Sequence, residues 1–165
     1  MICGINFNIA IFCINRHNFE LNMENKKISI ASDHAGVSLK EAISDYLSKN
    51  GHEIINHGPF NDDSVDYPDY AKKVTDDIID KSCDFGVLIC GSGQGMAISA
   101  NKQPGIRAAL CYSPEIAELS RLHNDCNVLT LGARFIDSNI AFNCVATFIK
   151  TPFEGGRHQN RINKI

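Results

Sequence analysis

The sequence predicts a three-layer α/β domain built on a doubly wound, five-stranded parallel sheet. Five short apolar runs alternate with segments whose apolar residues recur at three- or four-residue intervals, which is the pattern of consecutive βα units. The third run, residues 85–90, has no polar alternation and therefore indicates a parallel strand covered on both faces. The chain shows no internal repeat, so a single sheet with helices on both faces is expected.

The amino-terminal segment differs from the rest of the chain. Residues 1–25 hold one short apolar run that is too short to span a membrane, and every periodic segment begins after Met23. We therefore expect a non-native or disordered leader at 1–25 and a single domain at 26–165.

Capping signals separate the predicted strands. Ser38 and Glu41 have the spacing of a capping box, which predicts that the first helix begins there. Ser113-Pro114 and Asp137 are expected to cap later helices in the same way. The strands themselves are predicted at 28–32, 53–56, 85–90, 107–111 and 128–131.

Composition limits the possible partners. A chain of 165 residues with 44% apolar residues and a formal charge of −3 can bury a sizeable core and has no basic excess that would favour nucleic acid. No membrane partner is indicated. The seven cysteines include no Cys-x-x-Cys pair, which favours a reduced, cytoplasmic protein. The histidines lack metal-ligand spacing, apart from His52 and His57, which flank a strand, so no metal site is expected. No cofactor is expected either.

A glycine-rich loop, residues 90–95, joins the third strand to the following helix. Its three glycines allow backbone N–H groups to approach a ligand closely, where the helix dipole also favours negative charge. The loop therefore predicts an anion or oxyanion site with the thiol of Cys90 at its mouth. A tight turn without a ligand is the alternative for the glycines alone, and Cys90 and Ser92 favour function.

Two better-known glycine loops do not fit this segment. A phosphate-binding P-loop closes with Gly-Lys-Ser/Thr, whereas Gly95 is followed by Met96. The dinucleotide fingerprint needs a glycine three residues after its second, and the residue three after Gly93 is again Met96.

The expected strand order is 2-1-3-4-5, as in flavodoxin-like folds. In that order strands one and three are neighbours whose chains leave in opposite directions, which opens a crevice at their carboxyl ends. Asp33 and His34 follow strand one, and the glycine loop follows strand three. Alone, Asp33 could be a helix cap and His34 a surface residue. Together with Cys90 and Ser92 they predict an active site.

Five motifs along the chain resemble one family. They are Ser32-Asp33-His34-Ala35-Gly36, Asp66-Tyr67-Pro68, Cys90-Gly91-Ser92-Gly93 with Gly95, Ser120-Arg121-Leu122-His123-Asn124-Asp125 and Glu154-Gly155-Gly156-Arg157-His158. From about Lys27 to Arg161 the chain resembles ribose-5-phosphate isomerase of type B and its relatives among the sugar-phosphate isomerases. One branch of that family has glutamate where this chain has Met96 and lacks the cysteine, so this chain is similar to the branch that uses a thiol as base.

The resemblance implies an isomerase that interconverts ribose 5-phosphate and ribulose 5-phosphate through an enediolate, within pentose-phosphate metabolism. Such a reaction needs a base, an oxyanion site and a phosphate anchor. Cys90 would be the base, and the Ser92 hydroxyl would help to hold the oxyanion. The N–H groups of Gly91, Gly93, Gln94 and Gly95 would bind the oxyanion and the substrate. Asp33 and Asn124 would bind sugar hydroxyls, and His123 would be the acid that opens the furanose ring. The implied ligands of the phosphate or of the substrate are His34, Arg134, Arg157 and Arg161.

The resemblance also implies a homodimer or a tetramer whose active sites are shared. His123, Asn124 and Arg134 would then complete the site of a neighbouring subunit. Two other functions stay open at this point, an isomerase for a six-carbon sugar phosphate and a nucleotide- or flavin-binding module.

Overall fold

The computed structural model describes residues 25–165, so most of the predicted leader lies outside the described residues. This part of the chain forms one five-stranded, all-parallel sheet with helices on both faces, which confirms the predicted fold class. The elements are β1 Lys27–Ser32, α1 Val37–Lys49, β2 Glu53–Asn56, α2 Tyr67–Ile79, β3 Phe85–Cys90, α3 Gln94–Ala100, β4 Ala108–Leu110, α4 Pro114–Asn124, β5 Val128–Gly132, α5 Ser138–Lys150 and α6 Arg157–Ile162. A 3-10 turn, His34–Gly36, precedes α1.

The strand order is β2-β1-β3-β5-β4, which corrects the predicted order 2-1-3-4-5 at one end of the sheet. All five residues of β5 are buried, and β5 pairs with both β3 and β4. By contrast, β4 has three residues, all half-buried, as suits an edge strand. The switch point between β1 and β3 is unchanged, so the expected crevice stays where the sequence placed it.

The two faces of the sheet carry separate cores. Helices α1, α4 and α5 cover the face to which Val87 and Ile89 of β3 point. Helices α2 and α3 cover the other face, to which Leu88 and Cys90 point. This alternation follows from the two-residue period of a strand. It directs the Cys90 side chain toward the α2 and α3 side of the sheet.

Two helices begin as predicted and one does not. Ser113 accepts a hydrogen bond from the N–H of Ile116 at the start of α4, and Asp137 accepts one from the N–H of Asn139 at the start of α5. The predicted capping box at Ser38 does not form, because the 3-10 turn already begins the helical backbone upstream. Its cap is Asp33, whose carboxylate accepts from the N–H of Ala35 at 2.9 Å. Within residues 25–165, no helix is both long enough and apolar enough to cross a membrane.

Candidate active site

The glycine loop wraps around the thiol of Cys90 at the carboxyl end of β3. This side chain is 4% exposed, and its Sγ accepts a hydrogen bond from the N–H of Gly93 at 3.1 Å. Ser92 is exposed, and its Oγ accepts from the N–H of Gln94 at 3.4 Å. The loop therefore directs a backbone hydrogen-bond donor at the sulfur of the candidate base.

Close packing explains why glycines are needed in this loop. Gly93 has a φ of 79°, and a Cβ on it would lie 2.3 Å from Cδ1 of Leu110 and 3.0 Å from the carbonyl carbon of Leu131. A Cβ on Gly95 would lie 2.8 Å from the ring of Tyr67. Tyr67 belongs to one of the five motifs but had no predicted role. The structure places its half-exposed ring directly against the loop.

Arg134 lies beside the same loop. The N–H of Ala133 donates to the carbonyl oxygen of Cys90 at 2.9 Å, and that of Arg134 donates to the carbonyl oxygen of Gly91 at 3.1 Å. A Cβ on Gly91 would lie 3.2 Å from Cζ of the Arg134 guanidinium. Arg134 therefore places a cation at the glycine loop of its own chain, which differs from the expectation that it serves a neighbouring subunit.

The turn after β1 joins this site, as expected from the switch point. The N–H of Asp33 donates to the carbonyl oxygen of Ile89 at 2.9 Å, which ties the turn to the carboxyl end of β3. The Asp33 carboxylate caps the 3-10 turn, so this residue has a structural role at the crevice. Nδ1 of His34 and Oγ of Ser32 are buried and have no hydrogen-bond partner among residues 25–165. Unpaired buried polar atoms at a crevice are candidates for binding a polar ligand.

Cys90 differs from the other described cysteines. Cys83, Cys111, Cys126 and Cys144 are also buried and lie outside the glycine loop. Burial is the main cause that raises the pKa of Cys83, Cys126 and Cys144 to about 11 and the pKa of Cys111 to about 12. These four side chains are neutral thiols at neutral pH, and a neutral thiol is a poor base.

The other predicted site residues lie at the opposite end of the sheet, where the strands begin. Helix α4 starts after the carboxyl end of β4 and runs back along the sheet for 11 residues, roughly 16 Å. His123 and Asn124 therefore lie at the amino ends of the strands. The nearby Asn127 confirms this placement, because its carbonyl oxygen accepts from the N–H of Gly86 near the start of β3.

Helix α6 places two of the predicted arginines at the same end of the sheet as His123. The N–H of Glu154 donates to the carbonyl oxygen of Leu122 at 3.0 Å, which ties the start of the α6 segment to the end of α4. Arg157 and Arg161 are exposed on α6 and four residues apart. The predicted residues thus form two groups. We call Asp33, His34, Cys90, Ser92 and Arg134 the loop cluster, and His123, Glu154, Arg157 and His158 the histidine cluster.

The histidine cluster contains a ring stack with a carboxylate and a guanidinium beside it. The rings of His123 and His158 are stacked, with centroids 4.3 Å apart and an interplanar angle of 1°. Oε2 of Glu154 lies 3.7 Å from Nε2 of His123 and 3.8 Å from Nε2 of His158. Nε of Arg157 donates to Nε2 of His158 at 3.4 Å. Glu154 and His158 were part of a sequence motif but had no predicted role.

The same three side chains could be considered as a metal site. One donor atom from each of His123, Glu154 and His158 lies within 4.8 Å of the others. An imidazole binds a metal in the plane of its ring. Because the two rings are parallel and face to face, an ion in the plane of one ring would lie outside the plane of the other. The arrangement therefore fits ring stacking better than metal binding.

Two open hollows border predicted site residues. A cavity of about 370 Å³ borders Ser92 and Gln94 and is walled by Tyr112 and Phe135. A larger hollow of about 670 Å³ follows the β4 edge and includes Asn124 in its wall. The smaller cavity reaches the glycine loop through Ser92 and Gln94, so the larger of the two hollows is not the one that borders this loop.

Comparison with known proteins gives a consistent result. The sequence profile of the Ribose/Galactose Isomerase family matches residues 28–165. A Rickettsia conorii protein, assigned only as a candidate sugar phosphate isomerase, is 50% identical over 143 residues, or 87% of this chain and 99% of that protein. The crystal structure of a ribose 5-phosphate isomerase from Thermotoga maritima has a TM-score of 0.83 and 53% identity, covering 84% of this chain and 96% of that chain.

A further solved structure contains a sugar phosphate. It is ribose-5-phosphate isomerase B from Mycoplasma genitalium with bound ribulose-5-phosphate, which has a TM-score of 0.81 and 44% identity, covering 84% of this chain and 92% of that chain. The resemblance drawn from the five motifs is confirmed. Because the matched region includes the glycine loop, both clusters and all of the sheet except Lys27, this chain belongs to the Ribose/Galactose Isomerase family.

Proposed function

We propose that this protein interconverts ribose 5-phosphate and ribulose 5-phosphate, with Cys90 as the base. One observation carries the proposal: the only hydrogen bond assigned to the buried Sγ of Cys90 among residues 25–165 comes from the N–H of Gly93. The partners expected for an anionic intermediate, Arg134 and the amides of the loop, lie beside it. The ribulose-5-phosphate bound to the Mycoplasma genitalium relative supports the same substrate class.

The proposed reaction moves one proton between two carbons. The Cys90 thiolate removes the C2 proton of the open-chain aldose, and the electron pair of that C–H bond shifts toward the carbonyl oxygen to give an enediolate. Backbone N–H groups of the loop stabilise the new oxyanion, as in other oxyanion sites. The proton of the C2 hydroxyl moves to O1, which shifts the negative charge to O2, and the thiol then returns the first proton to C1, which gives the ketose and regenerates the thiolate. No net oxidation occurs, since C2 is oxidised while C1 is reduced.

The predicted site residues lie at two opposite ends of the sheet, which supports a site shared between subunits. Within one chain, the end far from Cys90 carries His123, Arg157 and Arg161. His123 would be the acid that opens the furanose ring, and the two arginines would be the phosphate anchor. A second copy that presents its histidine cluster to the loop cluster would complete the site, so we propose a dimer or a higher oligomer as the active form. Such an enzyme would act in pentose-phosphate metabolism in the cytoplasm.

A six-carbon substrate is the second candidate. It is favoured by the family itself, whose description includes galactose as well as ribose. Both substrates require the same proton transfer and the same phosphate anchor, so the reactive groups do not separate them.

The test is a direct isomerase assay on ribose 5-phosphate and on aldohexose 6-phosphates. Cys90→Ala should reduce turnover by on the order of 10²- to 10⁴-fold, since it removes the general base. Cys83→Ala is the matched control, because Cys83 is a buried thiol outside the loop, and its activity should be unchanged. Near-normal turnover by a folded Cys90→Ala variant would exclude the thiol mechanism, and faster turnover of a hexose phosphate would reassign the substrate.

A further inference from the structure

His158 is a buried residue to which the reaction gives no role. It is the second residue of α6 and is 4% exposed, although its neighbours Arg157 and Gln159 are exposed. Burying an imidazole on a short terminal helix has a cost unless the ring is packed and paired. The stack on His123 and the hydrogen bond from Arg157 supply both.

The stack fixes one face of His123. With ring centroids 4.3 Å apart and planes 1° from parallel, His158 limits how the His123 imidazole can tilt. The His123 side chain is 38% exposed, so its other edge stays open for a ligand. A half-exposed histidine without such a neighbour would sample several rotamers. Only some of these rotamers would place the imidazole correctly for proton transfer, so the reaction would be slower.

The hydrogen bond fixes the guanidinium of Arg157. Nε of Arg157 donates to Nε2 of His158, so this nitrogen is an acceptor and the ring proton lies on Nδ1. The two NH₂ groups of the guanidinium then remain available for a second ligand. One imidazole therefore contacts both the proposed acid and a proposed phosphate ligand.

Burial and the surrounding charges favour a neutral His158. Burial, followed by His123, lowers the pKa of His158, and the nearby Arg157 and Arg161 act in the same direction against the opposing Glu154 carboxylate. A neutral ring can accept from Arg157 and can stack on His123 whichever charge His123 carries. Protonation of His158 would remove the acceptor of the Arg157 hydrogen bond.

We propose that His158 is a positioning residue that holds the His123 imidazole and the Arg157 guanidinium in a fixed relation, so that ring opening and phosphate binding are presented to the sugar phosphate as one unit. This inference rests on the proposed function. It adds to it a residue that contacts neither the reacting carbons nor the phosphate.

Two substitutions separate the two contacts of His158. His158→Phe keeps a flat ring for the stack but cannot accept from Arg157. His158→Leu removes both the stacked ring and the acceptor. Gln159→Ala is the control on the same helix, since Gln159 is exposed and its side chain, within residues 25–165, bonds Asn163. Thermal midpoints of the full chain show whether each variant is folded.

Two measurements separate ring opening from proton transfer. The first is isomerisation of ribose 5-phosphate, which begins from a closed ring. The second is exchange of the C1 proton of ribulose 5-phosphate with deuterated solvent. This ketose cannot form a furanose, because its C5 hydroxyl carries the phosphate, so exchange requires the base but no ring opening.

His158→Leu should lower kcat for ribose 5-phosphate by roughly ten- to a hundredfold, the usual cost of a misplaced catalytic group, and should leave saturated exchange nearly unchanged. His158→Phe should keep kcat for both measurements and raise KM for both sugars by roughly three- to tenfold, as expected for one weak hydrogen bond. Gln159→Ala should match the unaltered protein.

Other results would overturn the inference. Unaltered kinetics in a folded His158→Leu or His158→Phe variant would do so, as would an equal loss of exchange and isomerisation in His158→Leu. If the leucine variant does not fold, the KM and kcat of the phenylalanine variant decide the question. His123→Ala distinguishes failure of the proposed function from failure of this inference. Normal isomerisation by His123→Ala would exclude His123 as the acid. An inactive His123→Ala together with normal His158 variants would exclude only the role of His158.

Discussion

The backbone N–H of Gly93 points at Sγ of Cys90 from 3.1 Å, and Gly93 holds this position with a φ of 79°. An alanine at this position would be strained by about 1 kcal/mol and would also collide with Leu110 and Leu131, which adds roughly 1–3 kcal/mol of overpacking. We expect Gly93→Ala to lower both the free energy of unfolding and kcat, because relief of the collision moves the N–H away from the thiol. Urea unfolding and isomerase kinetics measure the two effects.

Gly105 provides a matched control for the backbone strain. Its φ is 82°, yet a Cβ on it would have nothing within 4 Å. Gly105→Ala should therefore lose stability only through its φ and should keep its activity. Equal losses of stability in the two variants would mean that packing against Leu110 and Leu131 does not constrain the loop.

Mixing two inactive variants tests the shared site. If Cys90→Ala and His123→Ala are mixed and their subunits exchange, half of the dimers are mixed, and each mixed dimer contains one unaltered site. About a quarter of the unaltered activity should return. Activity of the mixture, measured after exchange has been verified by native mass spectrometry, gives the answer, and no recovery would contradict a site shared in this way.

Arg134 supplies the negative control for that experiment. It lies at the glycine loop of its own chain, so Cys90→Ala and Arg134→Ala damage the same half of the site. A mixture of these two variants should stay inactive. Recovery would mean that Arg134 acts across the interface despite its position beside Gly91.

The sequence predicted the sheet but not the order of its last two strands. Strong patterns, such as the unbroken apolar run of β3, depend on local burial and were located to the residue. The positions of β4 and β5 in the sheet depend on long-range packing, because the inner of the two strands must have a neighbouring strand on both sides. The weak apolar character of Ala108 and Ala109, which are half-buried at the edge, was the signal available for it.

Parts of the site depend on contacts that no spacing encodes. The sequence could predict that Asp33 and Cys90 lie close together, because both lie at the carboxyl ends of neighbouring strands. Tyr67 could not, because it lies at the start of a helix and reaches Gly95 only through packing between α2 and α3. His123 and His158 lie 35 positions apart and meet because α6 returns to the end of α4. Motifs located these residues, and only the fold could pair them.

Asp77 gives the fold a dependence on acid. Its carboxylate, whose side chain is 18% exposed, accepts from Nε2 of His57 at 2.7 Å and from Oγ of Ser29 at 2.6 Å. Burial alone would raise the pKa of Asp77, but these hydrogen bonds outweigh it and hold the pKa below its usual value. The stabilisation is therefore complete above the unfolded-state pKa, about 4, and is lost as the pH falls through the lower folded-state pKa.

Asp77→Asn should lower the free energy of unfolding by about 1–3 kcal/mol at pH 7 and should reduce the loss of stability below about pH 4. Asp76→Asn is the control, since Asp76 pairs with Lys72 on the surface and should contribute little. Urea unfolding of both variants at several pH values from about 3 to about 7 measures the effect. Parallel stability curves for Asp77→Asn and the unaltered protein would show that the carboxylate is not linked to acid unfolding.

Arg157 and Arg161 are four residues apart on α6, so their guanidinium groups project from one side of this helix. If they bind the phosphate, Arg157→Ala should weaken the use of ribose 5-phosphate far more than the use of free ribose, because binding at the remote phosphate positions the reacting carbons. Loss of a charge-assisted contact costs roughly 1.5–3 kcal/mol, or about ten- to a hundredfold in kcat/KM. Lys164→Ala removes a positive charge from the same exposed segment and should change neither value. Kinetics with both sugars are decisive, since an equal loss on ribose and ribose 5-phosphate would mean that Arg157 supports structure or proton transfer and not phosphate binding.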